Sequence, residues 1–129
     1  MNAAPKCISP LLNVRGGVGA IAFYKQAFGV EVRFLVEDDV GHVVATLGIG
    51  EMEFWVADES PEHDNPAPAT LDGTSARMIL ISDDPDALYA RALEAGAQVV
   101  WPVADQHGWR VGRLVDPFGH HWEISRPPL

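Results

Sequence analysis

The feature that most restricts the fold of this chain is an internal repeat. The segment Tyr24–Phe28 (YKQAF) recurs as Tyr89–Leu93 (YARAL), and each copy leads to a glycine, Gly29 or Gly96. The two tyrosines lie 65 residues apart and the two glycines 67, close to half of the 129-residue chain. Self-similarity at one offset marks a chain built from repeated structural units. The sequence therefore predicts a tandem duplication of one module.

Each repeated segment predicts a helix that ends at its glycine. The first helix covers Ala20–Phe28, and Gly29 stands where a left-handed C-terminal cap belongs. In the second copy Asp84 is a suitable N-cap and Pro85 takes the first helical position, which predicts a helix from there to about residue 95. The glycine-rich segment 16–19 before the first helix predicts a flexible turn.

The segments around the helices alternate in polarity or are rich in β-formers, as expected of strands. They are Lys6–Val14, Val30–Glu37, His42–Leu47, Glu51–Ala57, Arg77–Ser82, Gln98–Pro102, Arg110–Val115 and His121–Ser125. Each half therefore predicts a β-α-β-β-β order. We expect one α+β domain over 1–129, with module one at about 6–58 and module two at about 75–126. The proline-containing segment at about 59–74 predicts an exposed linker.

This order of elements also predicts where a ligand would bind. A helix on one face of a four-stranded sheet leaves the other face open. Two such sheets side by side form a curved mixed sheet, with a cup on the open side and the helices outside. Concave surfaces of this kind are the usual binding sites of small molecules.

The charge and composition of the chain restrict the kinds of molecule that it is expected to bind. Apolar residues make up 47% of the chain and charged ones 21%, which is typical of a soluble globular protein. The formal net charge is −9, from 18 acidic and 9 basic residues. Such a chain repels a phosphate backbone, so nucleic acid is not an expected partner. The same charge balance favours cationic small molecules or metal ions.

The N-terminal segment and the single cysteine predict a cytoplasmic location. Residues 1–14 hold no apolar run of the kind found in signal peptides or membrane-spanning helices, so no membrane partner is expected. Cys7 has no second cysteine with which to pair, which fits a reducing compartment. Its place in the first predicted strand favours a buried, small side chain.

Several segments resemble one known superfamily. Residues 22–29 (AFYKQAFG) are similar to a helix end, and residues 116–123 (DPFGHHWE) to a terminal hairpin, of glyoxalase I, bleomycin-resistance proteins and extradiol dioxygenases. With Gly41-His42 and Asp105-Gln106-His107, the terminal segment looks closest to the PhnB-like branch of this vicinal oxygen chelate superfamily. The resemblance covers residues 6–125 and implies the same two-module fold.

The resemblance also implies a site. In the metal-dependent members each module supplies one ligand from its first strand and one, usually Glu, from its last. These positions fall on Ser9 and Glu53 in module one, and on Arg77 and Glu123 in module two. The glutamates are thus the implied ligands of a divalent metal (Zn²⁺, Ni²⁺, Mn²⁺ or Fe²⁺) that polarises substrate oxygens. Serine is a weak ligand and arginine is none, so the residues themselves imply no cofactor. Arg77 instead predicts an ion pair with Glu53 or Glu123, or contact with an anionic ligand group.

Strand alternation adds aromatic and basic side chains to the same face. Trp55 shares the parity of Glu53, and pairing of Leu114 with Trp122 would turn alternate residues of the preceding strand toward Glu123. A register change of one residue would reverse that assignment. The predicted ligand-binding residues are Ser9, Trp55, Arg77, Trp109, Arg113 and His121.

Two functions stay open at this point. The first is a small-molecule binding protein of the bleomycin-resistance or PhnB-like type. It would hold a cationic or aromatic ligand in an aromatic and acidic cup without strong metal dependence. The alternative is a divalent-metal-dependent lyase, isomerase or dioxygenase of the glyoxalase type, which Glu123 favours and Ser9 and Arg77 oppose. Superfamily members commonly pair, so we expect a homodimer, with each cup built within one chain or across two.

Overall fold

Both halves of the chain fold as the repeat predicts, each as a β-α-β-β-β module, in a computed structural model that describes residues 3–129. Module one consists of β1 (Leu11–Val14), α1 (Gly17–Phe28), β2 (Glu31–Glu37), β3 (Val43–Ile49) and β4 (Met52–Asp58). Module two consists of β5 (Arg77–Ile81), α3 (Pro85–Ala95), β6 (Gln98–Gln106), β7 (Trp109–Val115) and β8 (His121–Arg126). Between them lie a 3₁₀ turn (Pro61–His63) and a short helix, α2 (Pro68–Leu71).

The two sheets have the same strand order, β1-β4-β3-β2 and β5-β8-β7-β6. In each, the first and last strands of the module pair in parallel and the other neighbours pair antiparallel. The first strand of each module is therefore an edge strand. The β1 edge adjoins the last hairpin of module two, since the His120 Nε2 lies 2.8 Å from the Asn13 carbonyl oxygen of β1. The predicted α+β fold is confirmed.

One core serves both modules because α1 and α3 pack against each other on the same side of the sheets. Trp122 of β8 is buried there, and its ring contacts Tyr24 and Phe28 of α1. Burying aromatic rings of this size contributes a large share of core stability. The helix-bearing faces of the sheets are thus closed, and the opposite faces, here called the outer faces, are not covered by a helix.

A buried carboxylate fixes the last hairpin to this core. Asp116, at the start of the segment that resembles a terminal hairpin, accepts hydrogen bonds through Oδ1 from the backbone N–H groups of Phe118 and His120. Its Oδ2 accepts the Tyr24 hydroxyl and Trp122 Nε1. Burial, and then the neighbouring Asp116 carboxylate, raise the pKa of Tyr24 well above its usual value, so the phenol stays a donor. Asp116 therefore ties module two to module one.

The N-terminal part of module one differs from the predictions. Strand β1 begins at Leu11 rather than Lys6. Pro5 and Pro10 lack the N–H groups that a longer strand would donate. Cys7 consequently precedes the strand and is exposed, so its predicted burial is wrong.

The predicted flexible turn at 16–19 is also wrong, because α1 begins at Gly17. The Gly17 N–H donates to the Asp58 Oδ1 at 2.8 Å. A Cβ on Gly17 would lie 2.5 Å from Val43, so only glycine allows this close approach. A carboxylate at the first turn also complements the helix dipole.

The linker is more ordered than its proline content predicts. The Glu59 carboxylate accepts hydrogen bonds from the Thr70 hydroxyl, Arg15 and the Ala67 N–H. These three donors, the Thr70 hydroxyl first, lower the pKa of Glu59 to about 2. Ala67 and Pro68 are buried and anchor α2 to the modules, while residues 61–65 and 69–74 are exposed as expected of a linker.

Candidate functional site

The outer face of module two collects most of the predicted binding residues. Leu114 lies opposite Trp122 in the β7–β8 pair, as the register argument required. Arg113 therefore lies opposite Glu123 on the outer face, and Ile79 of β5 lies on the other side of Glu123. The sequence prediction that β7 turns its odd-numbered residues toward Glu123 is confirmed.

Glu123 is held by an ion pair rather than left free. The Arg77 Nε lies 2.7 Å from the Glu123 Oε1. The Glu123 side chain is 15% exposed and the Arg77 side chain 52%. This is one of the two pairings that the sequence predicted for Arg77. The most buried carboxylate on this face is thus already compensated by a guanidinium group.

A second arginine on this face has different neighbours. The Arg113 Nε donates to the His121 Nδ1 at 3.1 Å, and the Arg113 guanidinium carbon lies 5.1 Å from the centre of the Trp101 ring. Burial first, and then the Arg113 charge, lower the pKa of His121 below its usual value. His121 is therefore neutral at neutral pH, with its proton on Nε2 because Nδ1 accepts.

Two cavities share Ile79 of β5: the first lies on the outer face of module two, and the second also reaches the core residues Phe54 and Trp122. Trp109 and Glu123 line one of about 420 Å³, together with Ile79, Gln106, His107, Val111 and Ser125. Glu53 lines the other, of about 390 Å³, which also contacts Ile79. The shared Ile79 of β5 therefore joins the Glu53 and Glu123 neighbourhoods. A larger cavity of about 750 Å³ lies beside the Asp116–Gly119 turn and includes His121 alone of the predicted site residues.

Module one presents a simpler outer face. The Arg33 Nη1 lies 3.5 Å from the Glu53 Oε2, and Arg33 also binds Glu31 and the Gly50 carbonyl oxygen. Its guanidinium group lies over Gly48, where a Cβ would overlap it.

The other two predicted residues of module one have structural partners. The ring of Trp55 packs against Phe34, with ring centres 6.2 Å apart. The Ser9 hydroxyl, placed by the resemblance in the first strand, precedes β1 and donates to the Glu53 carbonyl oxygen at 3.0 Å.

The donor set does not fit a divalent metal. Within residues 3–129 no three His, Cys, Asp or Glu side chains come together as a metal-binding group. Glu53 and Glu123 each face an arginine, whose positive charge opposes a bound cation. Ligation by these two residues stays a prediction from the resemblance, and this geometry supports no catalytic step through a metal.

The comparison with protein families decides the relationship. The sequence model of the glyoxalase-like domain matches residues 12–125, which span both modules. The chain belongs to the glyoxalase-like family. The likeness to the PhnB-like branch stays a prediction.

This glyoxalase-like protein is also similar to one relative by sequence and to two solved structures by fold. An uncharacterized protein of Mycobacterium bovis is 37% identical over 132 aligned residues, which cover 98% of this chain and 86% of the relative. A gene product from Arabidopsis thaliana superposes with a TM-score of 0.72 at 25% identity, over 95% of this chain and 98% of the other. A fosfomycin resistance protein from Listeria monocytogenes superposes with a TM-score of 0.75 at 14% identity, covering 100% and 97%.

Sequence reasoning missed three residues of the outer faces of this glyoxalase-like protein: Arg33, Phe34 and Trp101. All three lie at shifts of strand register, between Val32 and Phe34 in β2 and on both sides of Trp101 in β6. A bulge breaks the two-residue alternation by which faces are assigned. Pro102, which follows Trp101, was the one available signal of irregular pairing.

No helix within residues 3–129 has the length and apolar character needed to cross a bilayer.

Proposed function

We propose that this glyoxalase-like protein binds a small aromatic molecule on its outer faces and needs no divalent metal to do so. The observation that carries the proposal is the 420 Å³ cavity at Glu123. One wall of the cavity is the exposed ring of Trp109, and the Glu123 carboxylate in it is neutralised by Arg77. Pockets that combine apolar and aromatic walls with a few oriented polar groups are typical ligand sites.

Exposed indole rings are the main support for an aromatic ligand. Trp101 and Trp109 are each 40% exposed on module two, and Ile79 between the cavities is 61% exposed. Contiguous apolar surface of this kind marks binding sites more often than it serves stability. A flat ligand stacked on either ring would bury that surface.

The charge of the ligand is a separate matter. The acidic composition predicts a cationic ligand, but both glutamates expected to attract it have arginine partners. The outer faces are therefore less acidic than the chain as a whole. The proposed ligand is therefore aromatic, its charge is not set by the composition of the chain, and it is not a nucleic acid.

We also propose that two copies form a homodimer in the cytoplasm. Apolar side chains stand exposed on both outer faces, including Leu11 and Phe34 on module one and Ile79 and Ile81 on module two. Covering them with a second copy would deepen the cavities into cups. Analytical ultracentrifugation at micromolar concentration would return twice the chain mass; the mass of a single chain would contradict the dimer.

The binding proposal is tested with a panel of aromatic fragments followed by protein NMR, with and without a chelator. We expect fragment-induced shifts centred on the Trp109 indole, unchanged by EDTA. Trp109→Ala should weaken binding about tenfold, as loss of a stacking platform implies. Val18→Ala is the matched control, because Val18 is exposed on α1 away from the outer faces.

Two outcomes would contradict the proposal. One is the absence of any shift across the panel. The other is about one tightly held ion per chain by elemental analysis, lost in Glu123→Ala, with binding that disappears in EDTA. That second result would favour the metal-dependent lyase, isomerase or dioxygenase instead.

A further inference from the structure

Arg113 differs from the other arginines of the outer faces in having no acidic partner. Arg77 is paired with Glu123, and Arg33 with Glu31 and Glu53. Within residues 3–129 no Asp or Glu oxygen lies within 4.0 Å of the Arg113 guanidinium group. A half-buried cation without a counter-ion is costly unless something else compensates it.

Two contacts fix the orientation of this guanidinium group. Its Nε is committed to the His121 Nδ1, and its plane lies near the Trp101 ring. In the described residues neither terminal nitrogen makes a hydrogen bond. The two terminal N–H₂ groups form the planar fork that matches a carboxylate or phosphate with two parallel hydrogen bonds.

His121 holds the guanidinium group in place without adding a donor to the fork. Since its Nδ1 accepts from Arg113, the neutral ring carries its proton on Nε2, which has no partner in the described part of the chain. The two ring nitrogens of an imidazole point in nearly opposite directions, so this N–H points away from the Arg113 fork and does not share its anion. The Asp116 carboxylate, which opposes the lowering of the His121 pKa, is buried and already accepts from four donors.

The local charge is positive on an otherwise acidic protein. Arg77 and Glu123 cancel, and His121 is neutral, so Arg113 leaves this group of four residues with one net positive charge. The chain as a whole carries −9. General electrostatic attraction would therefore bring anions to this face poorly, and a bound anion must be held by direct hydrogen bonds.

We propose that the terminal N–H₂ groups of Arg113 bind the anionic group, a carboxylate or a phosphate, of an aromatic ligand whose ring stacks on Trp101 or Trp109. This inference rests on the proposed binding function and names the chemical class of its ligand. It reverses the cationic ligand that the composition predicts.

The test uses four fragments with one ring and different charge: benzoate, phenyl phosphate, the neutral benzamide and the cationic benzamidine. Each is titrated into ¹⁵N-labelled protein, and the side-chain N–H signals of Arg113 and Trp101 report binding. We expect benzoate or phenyl phosphate to bind about tenfold more tightly than benzamide, as two charge-assisted hydrogen bonds imply. The carboxylate and phosphate arms show which anion the fork prefers.

Matched variants assign the effect to Arg113. Arg113→Gln should weaken the preferred anion about tenfold and leave benzamide within about twofold, while Arg113→Lys should recover part of the loss. Arg126→Gln removes the same charge from the end of β8, with no ion pair in the described residues, and should change binding less than about twofold. An unchanged pattern of backbone signals shows that each variant is folded.

The failures are distinguishable. If benzamide and benzamidine bind as well as benzoate, or if Arg113→Gln and Arg126→Gln act alike, the anion site is wrong while the binding function stands. If none of the four fragments shifts a signal on either outer face, both proposals fall.

Discussion

The two modules have the same strand order and share one core, but they place their arginines differently beside equivalent glutamates. Glu53 of β4 lies opposite Gly48, and the guanidinium group beside it comes from Arg33 on the next strand. Glu123 of β8 lies opposite Arg113 itself, yet it pairs with Arg77 on the other side. The outer-face arginine of module one, Arg33, is therefore paired with acidic residues. Module two has a second outer-face arginine, Arg113, without an acidic partner in the described residues.

The two copies of the duplicated module therefore share a backbone fold but present different side chains on their outer faces. Arg33 is bound by two carboxylates and a carbonyl oxygen, so the outer face of module one presents mainly the aromatic rings of Trp55 and Phe34. Module two offers an oriented cation and two indole rings. The backbone plan is shared because the core requires it, whereas the outer faces are free to differ because little packs on them.

The largest effect on stability is expected from a change at Asp116, the buried carboxylate that joins the two modules. Asp116→Asn replaces one oxygen by an NH₂, and either oxygen of Asp116 accepts two hydrogen bonds, so at least one buried donor faces another donor. We expect a loss of about 2–4 kcal/mol in the free energy of unfolding, measured with urea. Tyr24→Phe is the control: it removes one hydrogen bond and should lose about 1 kcal/mol. Equal losses would show that Asp116 is no junction.

A pair of glycine substitutions tests the comparison next. A Cβ on Gly112 of β7 would lie 2.7 Å from a Val103 methyl and 3.0 Å from the Val103 Cα, so Gly112→Ala should cost about 1–3 kcal/mol in urea unfolding. A Cβ on Gly48 meets only the end of the Arg33 side chain, which can swing into solvent. Gly48→Ala should therefore cost less than about 1 kcal/mol. The reverse order would mean that Arg33 is fixed more firmly than Val103.

Replacing each glutamate by glutamine compares the two ion pairs directly. Glu123 is 15% exposed and lies 2.7 Å from its partner, whereas Glu53 is 44% exposed and 3.5 Å away. We expect Glu123→Gln to lower the unfolding free energy by about 0.5–1 kcal/mol and Glu53→Gln by less than about 0.5. High salt should shrink both effects. Equal and salt-independent losses would show that hydrogen bonds, and not charge, hold these side chains.

The features that could be predicted from the sequence are those set by nearby residues or by regular strand pairing. The repeated YKQAF and YARAL segments predicted α1 and α3 and hence the two modules, because helices are governed by nearby residues. Alternation from Glu123 correctly turned Arg113 and Trp109 outward, since β7 and β8 pair without irregularity. The ion pair of Arg77 with Glu123 was one of the alternatives that the sequence left open, beside a pair with Glu53 and contact with an anionic ligand group.

The parts that failed depend on distant contacts. Gly17 opens a helix because Asp58 lies at its first turn, 41 residues away in the chain. Glu59 and Thr70 order a linker whose composition resembles a loop. Register shifts in β2 and β6 hid the outward positions of Arg33 and Trp101. Local sequence does not contain these pairings, so no reading of periodicity could have found them.

The smallest effect is expected for the pKa of the His121 imidazole, a side chain of the outer face of module two. The pKa of His121 is lowered below its usual 6.5, first by burial and then by Arg113; His120 adds to this lowering and Asp116 opposes it. Because the folded state favours the neutral ring, its contribution to stability is fully present above pH 6.5 and is lost as the pH falls through the lowered pKa.

An NMR titration of the His121 ring should therefore give a midpoint below 6.5 in the wild-type protein. Arg113→Gln should move that midpoint upward only part of the way, because burial, the larger cause, remains. A midpoint that does not move would mean that Arg113 does not face His121 in solution. It would also remove the oriented fork on which the anion site of module two depends.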